Sequence, residues 1–191
     1  MTNQKIQILA LAGSYRSGSF NQALLKAAIE LAPDNVEFQE IDLREVPFYD
    51  GDLEEAGEPQ TVVDLKAAVV AADAVLFVTP EYNAGVPAVL KNGLDWSSRF
   101  YPNAPLGGKI AAVIGATPGK NGTKNAQENL RRSLGIAGSE LVDAELMLAR
   151  AGDAIEDGVV ASDDLKAQIV SVLDAIVAAV AAKAAESDSE S

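Results

Sequence analysis

The chain of 191 residues contains no cysteine and no histidine. The first absence excludes disulfides, thiolate nucleophiles and cysteine-ligated metals; the second removes the commonest general base and the commonest metal ligand. No metal site is expected, and if the chain is an enzyme, something other than a cysteine or histidine side chain carries the hard step. Aromatic residues make up only 5% of the sequence, with a single tryptophan, so those falling in loops stand out. Positive charge is also scarce, with 15 Lys and Arg against 28 Asp and Glu and a net charge of −13. That balance argues against a nucleic-acid partner and against anionic membrane surfaces. No segment approaches the roughly 20 uncharged apolar residues of a membrane span, and the N-terminal apolar run leads into a loop bearing Arg16, so the expectation is a cytoplasmic protein without an export signal.

What is present is apolar residue in quantity, 48% of the chain, enough for one sizeable core. One domain is expected over 1–185, with a short acidic, disordered tail at 186–191. Strand-like runs recur at Ile6 to Ala12, Val36 to Ile41, Ala74 to Thr79, Ile110 to Ala116 and Leu141 to Leu146. Helical patterns lie between them, at Gln22 to Leu31, Val62 to Ala71, Pro87 to Trp96 and Ala126 to Leu134, and Leu165 to Ala182 closes the chain. Such alternation predicts an α/β fold, a doubly wound five-stranded parallel sheet of order 2-1-3-4-5 in a three-layer αβα sandwich. The stretch Leu43 to Gln60, rich in acids, proline and glycine, reads as a surface excursion pinned by Phe48 and Tyr49. In a doubly wound sheet, ligands sit outside the carboxyl ends of the strands, which selects the loops after Ala12, Thr79 and Ala116.

The first of these loops resembles a nucleoside-triphosphate loop in its glycine spacing, Gly13 to Gly18, but Ser19 and Phe20 stand where Lys and then Ser or Thr are required. Gly115 to Asn121 contains a Gly-Lys but is one residue short, and the dinucleotide pattern G-x-G-x-x-G does not follow the first strand. A mononucleotide phosphate fits better. Ser14, Ser17, Ser19 and Asn21 offer side-chain donors, Arg16 offers a planar cationic fork, and Ser19 with Gln22 reads as a capping box that starts a helix at Phe20. Each charge-assisted hydrogen bond contributes roughly 1.5–3 kcal/mol, whereas the overall negative charge is screened beyond about 8 Å, so local donors outweigh it. The plainer alternative is a polar turn capped by Ser19, which needs neither the arginine nor so many hydroxyls.

In the second loop Pro80 ends the strand, Tyr82 is an aromatic at the switch point, Gly85 lets a flat ligand approach, and Pro87 suits the first residue of a helix. Backbone N–H groups from Asn83 to Val86 and the positive helix end would stabilise negative charge on a reduced ring. Tyr82 and Trp96 can equally be packing residues, the favoured reading for Trp96, and Glu81 can be a solvated loop acid. In the third loop Thr117 and the glycines offer a hydroxyl and N–H donors, or form a plain flexible loop.

The segments GSYRSGSFN, PEYNAGVPAVLKNGLDWSSR and GATPGKNG followed by AQENLRRSL, in that order, resemble the NAD(P)H-dependent FMN reductase family of flavodoxin-like quinone and chromate reductases. The likeness runs from Ile6 to about Leu148. It implies FMN as cofactor, its phosphate held by Ser14, Arg16, Ser19, the Phe20 backbone and Asn21. Pro80, Glu81, Tyr82, Asn83 and Gly85 would line the isoalloxazine, and Thr117 and Gly119 would approach its pyrimidine edge. No residue is assigned as a catalytic acid or base, because the flavin carries the chemistry. NADPH or NADH would be the electron donor, and a quinone, flavin, chromate or azo compound the acceptor, in a ping-pong cycle. Relatives are homodimers or homotetramers, which makes Leu94, Trp96, Arg99 and Tyr101 interface candidates. The third loop departs from the family, which often has serine where Thr117 stands and a small residue where Pro118 stands. The alternative reading is a flavodoxin-like one-electron carrier without NAD(P)H turnover, which the acidic charge suits and the arginine in the first loop opposes. A further possibility is a regulatory or structural member of the fold that has lost its cofactor.

Overall fold

Unbroken apolar runs dominated by aliphatic side chains build the centre of the molecule, in a computed structural model that describes residues 5–99 and 104–189. β1 (Ile6–Ala12), β2 (Val36–Glu40), β3 (Ala74–Val78) and β4 (Ile110–Ala116) pair in parallel in the order β2-β1-β3-β4. Every residue of β3 and β4 is buried, as strands covered on both faces require. Side chains alternate between two cores. Ile8, Ala10, Leu76 and Ile114 face α1 (Phe20–Glu30) and α6 (Asp163–Ser189). Leu9, Leu11, Val75, Phe77 and Val113 face α3 (Gln60–Ala71), α4 (Ala88–Ser97) and α5 (Lys124–Ile136). The result is the expected flavodoxin-like, three-layer α/β sandwich with sheet order 2-1-3-4-5.

The fifth strand differs from expectation. Instead of one run from Leu141 to Leu146, two short pieces pair with β4: β5 (Glu140–Leu141) opposite Ile110 and Ala111, and β6 (Leu146–Leu148) opposite Ile114 to Ala116. Between them Val142 turns its side chain into the core while Asp143 and Glu145 remain exposed. Beyond β6 the chain forms a small hairpin that the sequence reading missed, β7 (Ile155–Glu156) and β8 (Val159–Val160), closed by Asp157–Gly158 with both residues at positive φ.

The surface excursion carries a short 3-10 turn and α2 (Gly51–Ala56). Tyr49 does pin it: its N–H donates to Asn92 Oδ1 at 2.8 Å and its ring meets Trp96 edge-on at 4.9 Å. Phe48 does not, being 76% exposed. Trp96 and Leu94, named as interface candidates, are buried within the single chain, and the Trp96 indole donates to the Pro47 carbonyl at 2.8 Å. Arg99 pairs with Glu54, and Tyr101 lies outside the described residues.

α6 starts two residues early and runs on to Ser189, through most of the stretch expected to be a disordered tail. By length and composition it is apolar enough to cross a membrane, against the expectation that no segment is. In the structure Leu165, Ile169, Val172, Leu173 and Ile176 are buried in the core of the sandwich, and Asp174 is exposed.

Candidate functional site

Parallel pairing delivers the carboxyl ends of β1, β3 and β4 to one edge, so the loops 13–19, 79–87 and 117–123 lie together there. The chain leaves β1 toward β2 on one side while β3 lies on the other, and the crevice between is the usual ligand position in this topology.

In the first loop Ser19 caps α1, its Oγ accepting from the Gln22 N–H at 3.4 Å. The reciprocal half of the capping box does not form, because the Ser19 N–H already donates to the Arg16 carbonyl at 3.2 Å. Gln22 instead donates from Nε2 to the Ser14 carbonyl at 2.8 Å and fastens the start of the loop. Tyr15 ties the loop to the exit of β2: its hydroxyl donates to the Ile41 carbonyl at 3.3 Å and accepts from the Leu43 N–H at 2.9 Å. Burial pushes the Tyr15 pKa up, outweighing the opposing pull of the Leu43 N–H, so the phenol stays neutral. Ser14 and Ser19 are buried while Arg16, Ser17 and Gly18 are exposed. Among the described residues Arg16 makes no ion pair; its guanidinium meets only the Ser17 carbonyl, at 3.4 Å.

Asn21 was expected to donate to a phosphate. Its side chain is committed elsewhere: Nδ2 donates to the Ala116 carbonyl and Oδ1 accepts from the Ala116 N–H, both at 2.9 Å and both buried. This amide joins the first turn of α1 to the end of β4, and only the backbone N–H of Asn21 remains available to an anion at the helix N-terminus.

The second loop closes on itself. Tyr82 and Gly85 exchange backbone hydrogen bonds at 3.2 and 3.0 Å around Asn83 and Ala84, both at positive φ, the arrangement of a type I′ turn. The Gly85 N–H is therefore spent inside the turn rather than presented to a ring. Tyr82 is 51% exposed, and its hydroxyl lies 3.5 Å from Ser14 Oγ, across the crevice between the first two loops. The two loops also touch at Gly13, where a Cβ would lie 2.7 Å from Leu90 Cδ1 and 2.9 Å from buried Pro80 Cδ. Pro87 precedes the first residue of α4 instead of beginning it.

The resemblance places Glu81 against the ring; in the structure its side chain is engaged at α5. Its carboxylate accepts from the Ala126 N–H and from Asn125 Nδ2, both at 3.0 Å, and so caps the N-terminus of α5. Thr123, at the N-cap position of α5, makes no side-chain capping bond, and its buried hydroxyl accepts from Gln127 Nε2 at 2.8 Å. Gln127 also donates to the Leu146 carbonyl at 2.8 Å. A Cβ on Gly115 would lie 2.2 Å from the Thr79 carbonyl oxygen and 2.3 Å from Thr123 Oγ1, so only glycine fits where β4 ends. Gly115, Thr123 and Gln127 are site supports that the sequence reading does not single out: Gly115 is confined by the distant Thr79 carbonyl and Gln127 reaches the Leu146 carbonyl, while the Thr123–Gln127 pair, four residues apart, was within reach of helical spacing.

In the third loop Thr117 Oγ1 accepts from the Gly119 N–H at 3.2 Å, and the loop is held to the end of β6 by a Thr117 N–H to Leu148 carbonyl bond and to the turn beyond it by an Arg150 N–H to Gly119 carbonyl bond. Thr117 is half-buried and Gly119 exposed. Of the residues expected at the site, Ser14, Arg16, Ser19 and Tyr82 converge on the crevice, with the first turn of α1 behind them, whereas Asn21 and Glu81 act as struts. The donor set is chemically suited to a phosphate-bearing flat cofactor: hydroxyls, helix N–H groups and an arginine without an acidic partner among the described residues at one end, a half-exposed aromatic on a closed turn at the other.

A model of the NADPH-dependent FMN reductase family matches residues 6–153. The chain is 44% identical over 129 residues to an NAD(P)H-dependent FMN reductase of Pseudomonas aeruginosa, covering 68% of this chain and 69% of the relative. Over 134 residues it is 39% identical to a quinone reductase of Escherichia coli, covering 69% and 71%. Among solved structures it superposes on FerB, a flavoenzyme NAD(P)H:(acceptor) oxidoreductase from Paracoccus denitrificans, with a TM-score of 0.81 and 33% identity over 90% of this chain and 97% of that one.

Proposed function

The chain belongs to the NADPH-dependent FMN reductase family, and from that premise we propose that it binds FMN along the carboxyl edge of the sheet and moves two electrons from NADH or NADPH to a quinone or similar small acceptor. The observation that carries this reading is the meeting of two unlike ends at one edge: an arginine without an ion pair among the described residues, beside a helix N-terminus, and a half-exposed tyrosine whose hydroxyl is 3.5 Å from Ser14. Ser14, Arg16, Ser19 and the N–H groups of Phe20 and Asn21 hold the phosphate. Pro80, Tyr82, Asn83 and Gly85 line the ring, Thr117 and Gly119 approach its pyrimidine edge, and Glu81 contributes by fixing α5 against the second loop.

FMN held there would supply the two-electron redox chemistry that links a nicotinamide donor to the acceptor. The protein's own residues bind and orient. Arg16 and the α1 N-terminus would bind the phosphate, the closed turn at Tyr82–Gly85 presents a fixed surface, and the Asn21 and Glu81 struts keep the three loops in register. Donor and acceptor use the same open face in turn, so the kinetics are ping-pong. The acceptor named by the Escherichia coli relative is a quinone, and free flavin, chromate or azo compounds are further candidates for an open face of this kind. We place the enzyme in the cytoplasm as a homodimer or homotetramer, to be tested by sedimentation.

Steady-state oxidation of NADH and NADPH by FMN-loaded protein with a benzoquinone gives parallel double-reciprocal lines on this reading. No turnover with either nucleotide would favour the one-electron carrier instead. A protein that is colourless as purified and leaves the fluorescence of added FMN unquenched would indicate a member without its cofactor.

A further inference from the structure

Immediately after β6 the chain turns at Arg150, which has φ +47 and ψ +47, a left-handed conformation that disfavours any residue with a Cβ. Two contacts fix where this turn lies. On one side the Arg150 N–H donates to the Gly119 carbonyl at 2.8 Å and the Ala151 N–H to the Thr117 carbonyl at 3.0 Å, stitching the turn to the third loop. On the other, Gly152 packs against the first residue of α1: a Cβ there would be 4.0 Å from Phe20 Cζ. The turn that carries Arg150 therefore lies between the third loop and the side chain of Phe20, the first residue of α1. Its side chain is exposed, and among the described residues it makes no ion pair, although Asp153 sits in the same turn and donates its N–H to the Arg150 carbonyl at 2.9 Å.

Charge balance gives this residue a task. A phosphate monoester carries nearly two negative charges at neutral pH, while Arg16 offers one positive charge and a helix N-terminus roughly half of one. The rest of the chain is no help, with a net charge of −13. We infer that Arg150 is a second cation for the cofactor phosphate, reaching it from the third-loop side of α1. Arg150 shares a positive φ with Asn83, Ala84 and Asp157, and it alone of the four carries a cation; its exposed guanidinium, with no ion pair among the described residues, is available to an anion.

The inference rests on the FMN reading of the same edge, and its test separates the two. Apoprotein is titrated with FMN and with riboflavin, which lacks the phosphate, following flavin fluorescence. Arg150→Gly relieves the left-handed backbone, so its apoprotein melts at or above the wild-type temperature. Its Kd for FMN rises 10- to 100-fold while that for riboflavin stays within twofold, and Arg150→Lys recovers most of the loss. Lys120→Ala, which removes a neighbouring exposed charge, leaves both constants within twofold. An unchanged FMN Kd in Arg150→Gly, an equal loss for riboflavin, or an equal effect of Lys120→Ala would overturn the assignment to Arg150 alone. Wild-type protein that binds neither flavin would overturn the FMN reading with it.

Discussion

The first and second loops reach the same crevice by opposite means. The first is held from outside: Gln22 grips the Ser14 carbonyl, the Tyr15 hydroxyl bridges Ile41 and Leu43, and the adjoining turn of α1 is bolted to β4 through Asn21 and Ala116. Arg16, Ser17 and Gly18 are left exposed at its tip. The second is held from within, by the paired hydrogen bonds of Tyr82 and Gly85, and sends one side chain, Glu81, outward to anchor α5. A loop that must close on a phosphate benefits from free donors on a braced base. A loop that must offer a flat surface benefits from a shape fixed by its own turn.

Four substitutions break or sharpen that contrast. Asn21→Leu removes the external brace and leaves the N–H and carbonyl of Ala116 unpaired in the interior, so a loss of about 2–4 kcal/mol is expected in urea unfolding. A loss under about 1 kcal/mol would mean that the first loop does not depend on that strut. Arg16→Ala should leave unfolding within about 0.5 kcal/mol but weaken FMN binding by about 1.5–3 kcal/mol, roughly 10- to 150-fold in a fluorescence titration. An unchanged Kd would remove Arg16 from the phosphate site. Glu81→Ala takes the cap from α5 and should cost about 1–2 kcal/mol of stability, read by chemical denaturation. If FMN affinity fell while stability held, Glu81 would belong to the ring surface after all. The smallest effect is expected inside the second turn: Ala84→Gly relieves a left-handed alanine and should stabilise by about 0.5–1 kcal/mol, seen as a higher melting temperature. A lower melting temperature would show that the turn is not the self-contained unit its geometry describes.

What could be read from the sequence was what is local or periodic. The sheet order followed from five apolar runs separated by helical patterns, and the cap at Ser19 from its place before an apolar periodic stretch. What escaped depended on partners far along the chain. Asn21 bonds a residue 95 positions away, and Glu81 one 45 positions away, so each looked like a free polar group when its carbonyl or N–H partner could not be seen. Trp96 was placed both ways for the same reason, until the Pro47 carbonyl supplied the acceptor that lets an indole be buried. The split of the fifth strand was hidden because Val142 is apolar enough to extend the run while turning into the core between its two halves. The hairpin at Asp157–Gly158 was legible in principle, since Asp-Gly between Ile155 and Val159 is a strong turn signal, and it was overlooked because the segment is so short.

The broken fifth strand also decides how copies of this molecule can meet. A sheet recruits a neighbour by offering a continuous row of unpaired N–H and carbonyl groups along its margin. Here one margin is two fragments of two and three residues, separated by a stretch that carries exposed Asp143 and Glu145. The opposite margin, β2, is five residues long with exposed Glu37, Gln39 and Glu40. The first margin is too interrupted, and the second too acidic, to invite edge-to-edge pairing, which is how charged or broken edge strands guard a sheet against unwanted growth.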